Sequence, residues 1–222
     1  NRKLDTDCFL ARMGKDYRNA HYLQGAYLES IDEFDYKFFN ISFNEAKTMD
    51  PNQRLMLQVA YRAVENAGYG GGLLDGTKTG VYIGYNPSIQ VYASLLKNLK
   101  IDKNGSAFAG NTSSIIAGRI AYFLNLHGPV MIIDSACATS LTALHVACNE
   151  IRNGDCDAAI VGAVSLKMML LSDDIENIGT TSKDMRTRTF DNSSIGTGPG
   201  EGIIALLIKD YDKAVKDRDG IY

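Results

Sequence analysis

Short apolar runs alternate with amphipathic stretches along the 222 residues of the chain. The runs contain few charged side chains, which is typical of strands buried on both faces of a sheet. They are Thr79–Tyr85, Val130–Asp134, Ala158–Leu166 and Gly202–Lys209. Because helical patterns separate them, the sequence predicts an α/β layered fold with a largely parallel sheet.

The segment after the first polar region predicts a long helix. Asp50 is a suitable N-cap, Pro51 suits the first helical position, and Gly68 supplies the stop. The apolar side chains that fall on one face at helical spacing are Leu55, Val59, Ala63 and Ala67.

A second helix is predicted from about Ala138 to Asn153, with Gly154 ending it. Its predicted apolar stripe consists of Leu141, Leu144, Cys148 and Ile151. This helix follows a strand with only a few small residues between them.

Composition narrows the class of protein. The net charge of −3 and the pI near 5.6 argue against a non-specific nucleic-acid binder, which concentrates Lys and Arg. The start of the chain lacks the apolar region of a signal peptide, and no apolar run approaches the roughly 20 residues that cross a bilayer. We therefore expect a cytoplasmic protein without a membrane span.

The cysteines are widely spaced and form no C-x-x-C pair, and no cluster of histidines accompanies them. They are Cys8, Cys137, Cys148 and Cys156. This spacing predicts no zinc or other metal site. Unpaired cysteine is commonly buried, so we expect Cys148 and Cys156 to be packed free thiols.

Cys137 stands between a predicted strand and a predicted helix, in "VMIIDSACATSL". Unpaired N–H groups at a helix N-terminus stabilise negative charge on a nearby sulfur or oxygen. The small neighbours Ala136 and Ala138 leave room for an acyl chain. Strand-to-helix turns are also common without chemistry, so local geometry leaves a core thiol and a nucleophile about equally favoured.

Longer motifs favour the nucleophile. "DSACATSL" resembles the nucleophile motif of β-ketoacyl synthase (ketosynthase) domains of the thiolase superfamily, and the similarity extends from about Gly25 to Tyr222. The glycine-rich wording "FDNSSIGTGPGEG" is most similar to ketosynthases of modular polyketide synthases. The segments that carry the resemblance are Met49–Tyr69, Gly110–Leu141 and Arg186–Lys209.

The resemblance implies a thiolase-like layered αβαβα fold, of which residues 1–222 hold most of the first duplicated half. The family's first strand and its C-terminal half are missing from this sequence. Cys137 would accept an acyl group from the phosphopantetheine thiol of an acyl carrier protein and supply a backbone oxyanion donor. Decarboxylative condensation with a malonyl-carrier protein would follow, with no cofactor bound directly.

The resemblance also implies further site residues and partners. Asn111 lies where the family lines its acyl channel and forms its dimer, so a homodimer is expected. The residues of this segment alone favour a simple loop about equally. Met168 is expected to border the acyl pocket or the core, since a flexible thioether suits either. Ala136 and Ala138, on either side of the cysteine, are expected to border the acyl pocket.

The family's reaction needs two histidines from "HGTGT" and "NIGH" motifs in the second half of the domain. His21, His127 and His145 are not spaced to replace them. These residues alone should therefore not condense substrates, and the remaining half is expected in the same or a companion chain.

Other interpretations stay open. One is a non-elongating ketosynthase that only transfers its acyl chain, and another is a non-catalytic half-domain that dimerises and holds a carrier protein. A cysteine hydrolase is disfavoured because "SACATS" lacks the surroundings of such nucleophiles. "GTGPGEG" is not a P-loop, since it lacks Lys-Ser/Thr and enters a strand, and Glu201 in it is expected to be a paired structural carboxylate.

Overall fold

The computed structural model describes residues 25–86, 107–167 and 180–222. Its strands are β1 (Thr79–Gly84), β2 (Val130–Ile133), β3 (Ala158–Ser165) and β4 (Gly202–Lys209). Its α-helices are α1 (Phe43–Thr48), α2 (Pro51–Asn66), α3 (Ala107–Asn111), α4 (Ile115–Phe123), α5 (Thr139–Asn153) and α6 (Tyr211–Asp217). In these ranges, no helix has the length and apolar character needed to cross a membrane.

The strands form one sheet in the order β2-β1-β3-β4. Strand β1 pairs in parallel with β2 and with β3, whereas β4 is antiparallel to β3. All the predicted strands are present, each within one residue of its expected end. The expectation of a largely parallel sheet is therefore confirmed.

Helices cover the sheet on both faces. On one face, α2 and α4 pack against strand side chains that include Val81, Ile83 and Ile160. On the other face, α5 packs through Ala143 and Ala147 against Tyr82 and its neighbours. Strand β1 is buried along its whole length because it lies inside the sheet and between these helix layers.

The long helix α2 begins and ends where the sequence indicates. The Asp50 carboxylate accepts a hydrogen bond from the Asn52 N–H at 2.7 Å, Pro51 opens the helix, and Gly68 follows with a left-handed φ of 83°. The predicted buried face is wrong by one position. The side chains that reach the core are Met56, Leu57, Ala60 and Val64, while Leu55, Val59, Ala63 and Ala67 are only partly buried.

The predicted apolar stripe of α5 is confirmed at Leu144 and Ile151, which pack partly buried against the core, but it is wrong at Leu141. Its fully buried side chains are Ala143 and Ala147, whereas Leu141 is 71% exposed. Small residues face the sheet because the helix lies close to β1, where the Tyr82 ring already fills the space. Gly154 ends the helix with a left-handed φ of 78°, as expected.

Buried polar side chains connect α2 to the loops around it. Gln53 donates to the Thr112 carbonyl at 3.0 Å and accepts from the Arg119 Nε at 3.1 Å. Arg119 also pairs with Glu45 at 2.6 Å. These contacts explain the buried Gln53 at the polar start of α2, because its amide is paired with groups from distant segments.

A second polar cluster joins the end of β4 to α6 and to Tyr69, which follows α2. The Lys209 Nζ donates to the Tyr69 hydroxyl at 2.7 Å and to carboxylate oxygens of Asp217 at 2.5 Å and Asp219 at 2.9 Å. Burial disfavours the charged lysine, but these hydrogen bonds outweigh that effect and raise the pKa of Lys209. Hydrogen bonds from Tyr69 and Lys209 lower the pKa of Asp219.

We expect Asp219→Asn to destabilise the full-length protein by about 1 kcal/mol at pH 7, because it removes a hydrogen-bonded charge. The folded pKa of Asp219 is depressed, so its contribution is present above the unfolded pKa of about 3.9 and is lost as pH falls through the folded value. Urea unfolding at pH 7 and in acid measures this difference. The exposed Asp155→Asn is the control, and equal midpoints for both variants at pH 7 would contradict the expectation.

Candidate active site

Cys137 lies just beyond the carboxyl end of β2, in the turn that leads into α5. A short 3₁₀ turn, Ala136–Ala138, connects the strand to the helix. Cys137, Ala136 and Ala138 are all exposed. In α/β sheets, ligands bind in crevices outside the carboxyl ends of the strands, and this cysteine lies at such an end.

The residue before Cys137 has an unusual backbone conformation. Ala136 has a φ of 53°, in the left-handed region that non-glycine residues rarely adopt. Such a conformation costs on the order of 1–3 kcal/mol and persists only where the surrounding contacts impose it. Residues of this kind cluster at active sites, which makes the contacts that hold Ala136 candidates for a functional role.

The Asp134 carboxylate stabilises this turn from the residue that follows β2. Its Oδ1 accepts hydrogen bonds from the Ala136 N–H and from the Asn86 side-chain amide, both at 3.0 Å. Asn86 follows β1, two residues after its last residue. The carboxylate therefore ties the turn before Cys137 to the end of the neighbouring strand.

Thr139, the first residue of α5, stabilises the turn from the helix side. Its hydroxyl accepts from the Ser135 N–H at 2.9 Å and donates to the Ala136 carbonyl at 2.7 Å. The side chain is buried, and it lies against Gly84 at the end of β1. A Cβ on Gly84 would lie 2.9 Å from the Thr139 Cγ2, so only glycine permits this close approach.

The turn leaves one backbone donor beside the thiol. The Ala136 N–H donates to Asp134 at 3.0 Å and the Ala138 N–H to the Ser135 carbonyl at 3.2 Å. Among the hydrogen bonds of the described residues, none has the Cys137 N–H as its donor. A donor of this kind can bind the negative oxygen of a tetrahedral intermediate.

Of the two other predicted substrate-binding residues, Asn111 and Met168, the structure describes only Asn111. Asn111 is the last residue of α3, and its side-chain amide donates to the Thr48 carbonyl at 2.9 Å. The Asp50 N–H also donates to helix α3, at the Gly110 carbonyl, at 2.9 Å. Met168 lies outside the described residues. The acyl-channel roles of both residues stay predictions.

The described histidines are not placed to act on Cys137. His127 precedes β2, and this strand, about 13 Å long at its usual rise, separates it from the cysteine turn. His145 is exposed on α5, with its Nε2 3.0 Å from the Asn149 side-chain amide. His21 lies outside the described residues. A general base must come within hydrogen-bonding reach, so neither described histidine fills that role in this arrangement.

The remaining described cysteines differ from Cys137 in exposure. Cys156 is 1% exposed, and its Sγ lies 3.7 Å from the Tyr82 hydroxyl. Burial raises the pKa of the Cys156 thiol, which disfavours its reactive thiolate form. Cys148 is partly buried, and both are free thiols, as expected. No group of three or more His, Cys, Asp or Glu suited to a metal ion occurs in residues 25–86, 107–167 or 180–222.

The glycine-rich segment has a structural role in the described part of the chain. It leads into strand β4, as expected, and not into a helix. The Glu201 carboxylate accepts from the Leu28 N–H at 3.0 Å and from the Lys167 N–H at 2.7 Å. It is thus a paired, partly buried carboxylate that connects three separate segments, which confirms that expectation.

Sequence reasoning missed three residues that shape the cysteine turn: Asn86, Gly84 and Thr139. Thr139 stands inside "DSACATSL", where its two-position offset from Cys137 was the available signal. Gly84 is a glycine within an otherwise apolar strand, which often marks a close backbone approach. No local pattern identifies Asn86, because its partner Asp134 is 48 positions away.

Known proteins are similar to most of this chain. The family described as "Beta-ketoacyl synthase, N-terminal domain" matches residues 3–214. The chain is 40% identical over 211 residues to the polyketide synthase PksN of Bacillus subtilis, covering 94% of this chain and 4% of that protein. It is 41% identical over 210 residues to the 6-methylsalicylic acid synthase of Penicillium terrestre, covering 92% of this chain and 12% of that protein.

Solved structures show the same fold. The ketosynthase from module 6 of the Bacillus subtilis bacillaene synthase has a TM-score of 0.75 and 41% identity, over 88% of this chain and 33% of that one. Ketosynthase twelve of the Bacillus amyloliquefaciens bacillaene polyketide synthase has a TM-score of 0.78 and 32% identity, over 96% and 38% respectively. The layered thiolase-like fold expected from the sequence is therefore confirmed, and the chain spans about a third of these structures.

We expect Gly84→Ala to destabilise the full-length protein by about 1–3 kcal/mol, because the new methyl group overpacks the contact between β1 and Thr139. Urea unfolding measures the change. Gly118→Ala in α4 is the matched control, since no atom lies within 4 Å of its added Cβ. That variant should be neutral or slightly stabilised, and an equally neutral Gly84→Ala would contradict the close approach.

Proposed function

Because the chain belongs to the β-ketoacyl synthase family, through its N-terminal domain, we propose that Cys137 is the acyl-accepting nucleophile of a polyketide ketosynthase. The observation that carries this proposal is the exposed thiol in a strained strand-to-helix turn, beside the N-terminus of α5. The names of the relatives, which are polyketide synthases, support the same assembly-line chemistry.

The proposed loading step is a thioester exchange. The Cys137 thiolate attacks the carbonyl carbon of an acyl group carried on the phosphopantetheine thiol of an acyl carrier protein. The Cys137 N–H binds the oxygen of the tetrahedral intermediate. The bond from carbon to the carrier sulfur then breaks, the carrier thiol takes the proton released by Cys137, and the acyl group remains on the enzyme. Thioester exchange is nearly balanced in free energy, so the acyl group stays transferable.

The proposed second step forms a carbon–carbon bond. A malonyl group on a carrier protein loses carbon dioxide, and the electron pair of the broken bond remains as a carbanion. The carbanion attacks the acyl carbon on Cys137, the carbon–sulfur bond breaks, and the cysteine thiolate is restored. The catalytic histidines for this step are expected in the remaining half of the domain.

The exposed face of the sheet supports the existence of that half. Ile204 and Leu206 of β4 alternate with side chains that pack toward α2, so they point to the α5 side of the sheet. They are 55% and 43% exposed, and Leu141 of α5 is 71% exposed. We propose that the remaining half of the domain, in the same or a companion chain, covers this face. The homodimer and the cytoplasmic location expected from the sequence stay predictions.

We expect the full-length protein, incubated with an acyl thioester, to gain the mass of one acyl group on the Cys137 peptide. Intact and peptide mass spectrometry measure this adduct. Cys137→Ala should remove it, whereas the matched control Cys148→Ala should retain it. A wild-type protein that gains no acyl group would contradict the proposed nucleophile.

We expect the acylated protein to release a chain two carbons longer when malonyl-loaded carrier protein is added, because decarboxylation makes malonyl a carbon nucleophile. Mass spectrometry of the carrier-bound product measures this step. Carrier protein loaded with acetyl instead of malonyl is the control. Acylation of Cys137 without a longer product would contradict elongation and favour a ketosynthase that only transfers its acyl chain.

A further inference from the structure

We propose that the Thr139 hydroxyl and the Asp134 carboxylate are positioning groups that hold the Ser135–Ala136 turn, and thereby set how fast Cys137 is acylated. Neither group would touch the substrate. The inference rests on the proposed function of Cys137, and it assigns a role to two residues outside the reacting atoms.

The Thr139 hydroxyl is hydrogen-bonded to two backbone groups just before the cysteine, one from Ser135 and one from Ala136. Its hydroxyl oxygen accepts from the Ser135 N–H at 2.9 Å, and its single proton goes to the Ala136 carbonyl at 2.7 Å. The side chain is 8% exposed, so water cannot readily replace either partner. Valine, which has nearly the same shape, would leave the Ser135 N–H without this acceptor and would remove one of the two donors to the Ala136 carbonyl, which keeps the Thr139 backbone N–H.

Asp134 stabilises the same turn through the Ala136 N–H, whereas Thr139 bonds to the Ala136 carbonyl. Its Oδ1 accepts from the Ala136 N–H at 3.0 Å and receives the Asn86 amide at 3.0 Å. Asp134 itself is exposed, so its replacement does not open a cavity in the core. Asparagine keeps an acceptor oxygen in the same place, whereas alanine removes it.

These contacts matter because Ala136 would otherwise leave its left-handed conformation. With a φ of 53°, it turns the chain so that the next residue, Cys137, faces outward from the end of β2. Loss of one hydrogen-bonding group lets Ala136 relax toward common φ values and moves the thiol. A displacement of about 1 Å at a reacting atom lowers a rate by roughly 100-fold.

Thr79 provides a matched comparison for a purely structural effect. It is 1% exposed, its hydroxyl lies 2.8 Å from the Thr77 hydroxyl, and it begins the strand β1 that Gly84 ends. Thr79→Val therefore removes a buried hydroxyl from the same strand but at the amino end, away from Cys137.

The experiment uses the full-length protein and an acyl thioester of N-acetylcysteamine, and follows acylation of Cys137 by mass spectrometry over a range of thioester concentrations. We expect Thr139→Val to lower the maximal acylation rate by about 10- to 100-fold with little change in the half-saturating concentration. Thr139→Ser should stay within a few-fold of wild type. Asp134→Ala should slow acylation, whereas Asp134→Asn should restore it. The unfolding midpoint of each variant is measured in parallel.

Unchanged acylation in both Thr139→Val and Asp134→Ala would overturn the inference. So would a Thr79→Val protein that is slowed as much as Thr139→Val at an equal loss of stability, because the effect would then be structural. If Thr139→Val does not fold, the test rests on the acylation rates of Asp134→Ala and Asp134→Asn. Equal rates for these two variants would overturn the inference. If the wild-type protein is not acylated, the proposed function of Cys137 is itself contradicted, and this result is distinguishable from a failure of the inference alone.

Discussion

The contact between Gly84 and Thr139 is the constraint on which the rest of the site depends. It brings the first turn of α5 against the end of β1, closer than any side chain at position 84 would allow. That approach places the Thr139 hydroxyl between Ser135 and Ala136, where it satisfies both backbone groups. The turn before Cys137 is thereby imposed by packing between a strand and a helix.

The layers around this contact follow the same steric requirement. Helix α5 presents Ala143 and Ala147 to the sheet because larger side chains would push it away from β1. On the opposite face, larger side chains of α2, such as Met56 and Leu57, pack against the sheet. Gln53 at the start of α2 is hydrogen-bonded to Thr112, just after α3, and to Arg119 of α4. Asn111 of α3 is hydrogen-bonded to Thr48 of α1, so α3 is fixed to the same core.

The sequence predicts the strands, the helix caps and the position of Cys137 well, because these depend on local patterns. It does not predict which face of α2 is buried, since Leu55–Val59–Ala63 and Met56–Ala60–Val64 are both apolar at helical spacing. Only contact with the sheet chooses between them. The residues that hold the cysteine turn are not predicted from the sequence, for a related reason. Asn86 meets Asp134 through strand pairing, and a single sequence without its fold carries no sign of that meeting.

The account centres on Cys137 as the acyl acceptor in a turn imposed by its neighbours. A crystal structure of the full-length protein after reaction with an acyl thioester tests this most directly. We expect continuous density from the Cys137 Sγ to the acyl carbon, the acyl oxygen within hydrogen-bonding distance of the Cys137 N–H, and a left-handed Ala136. An acyl group on Cys148 instead, or an unmodified Cys137 in a protein shown to be acylated, would contradict the account.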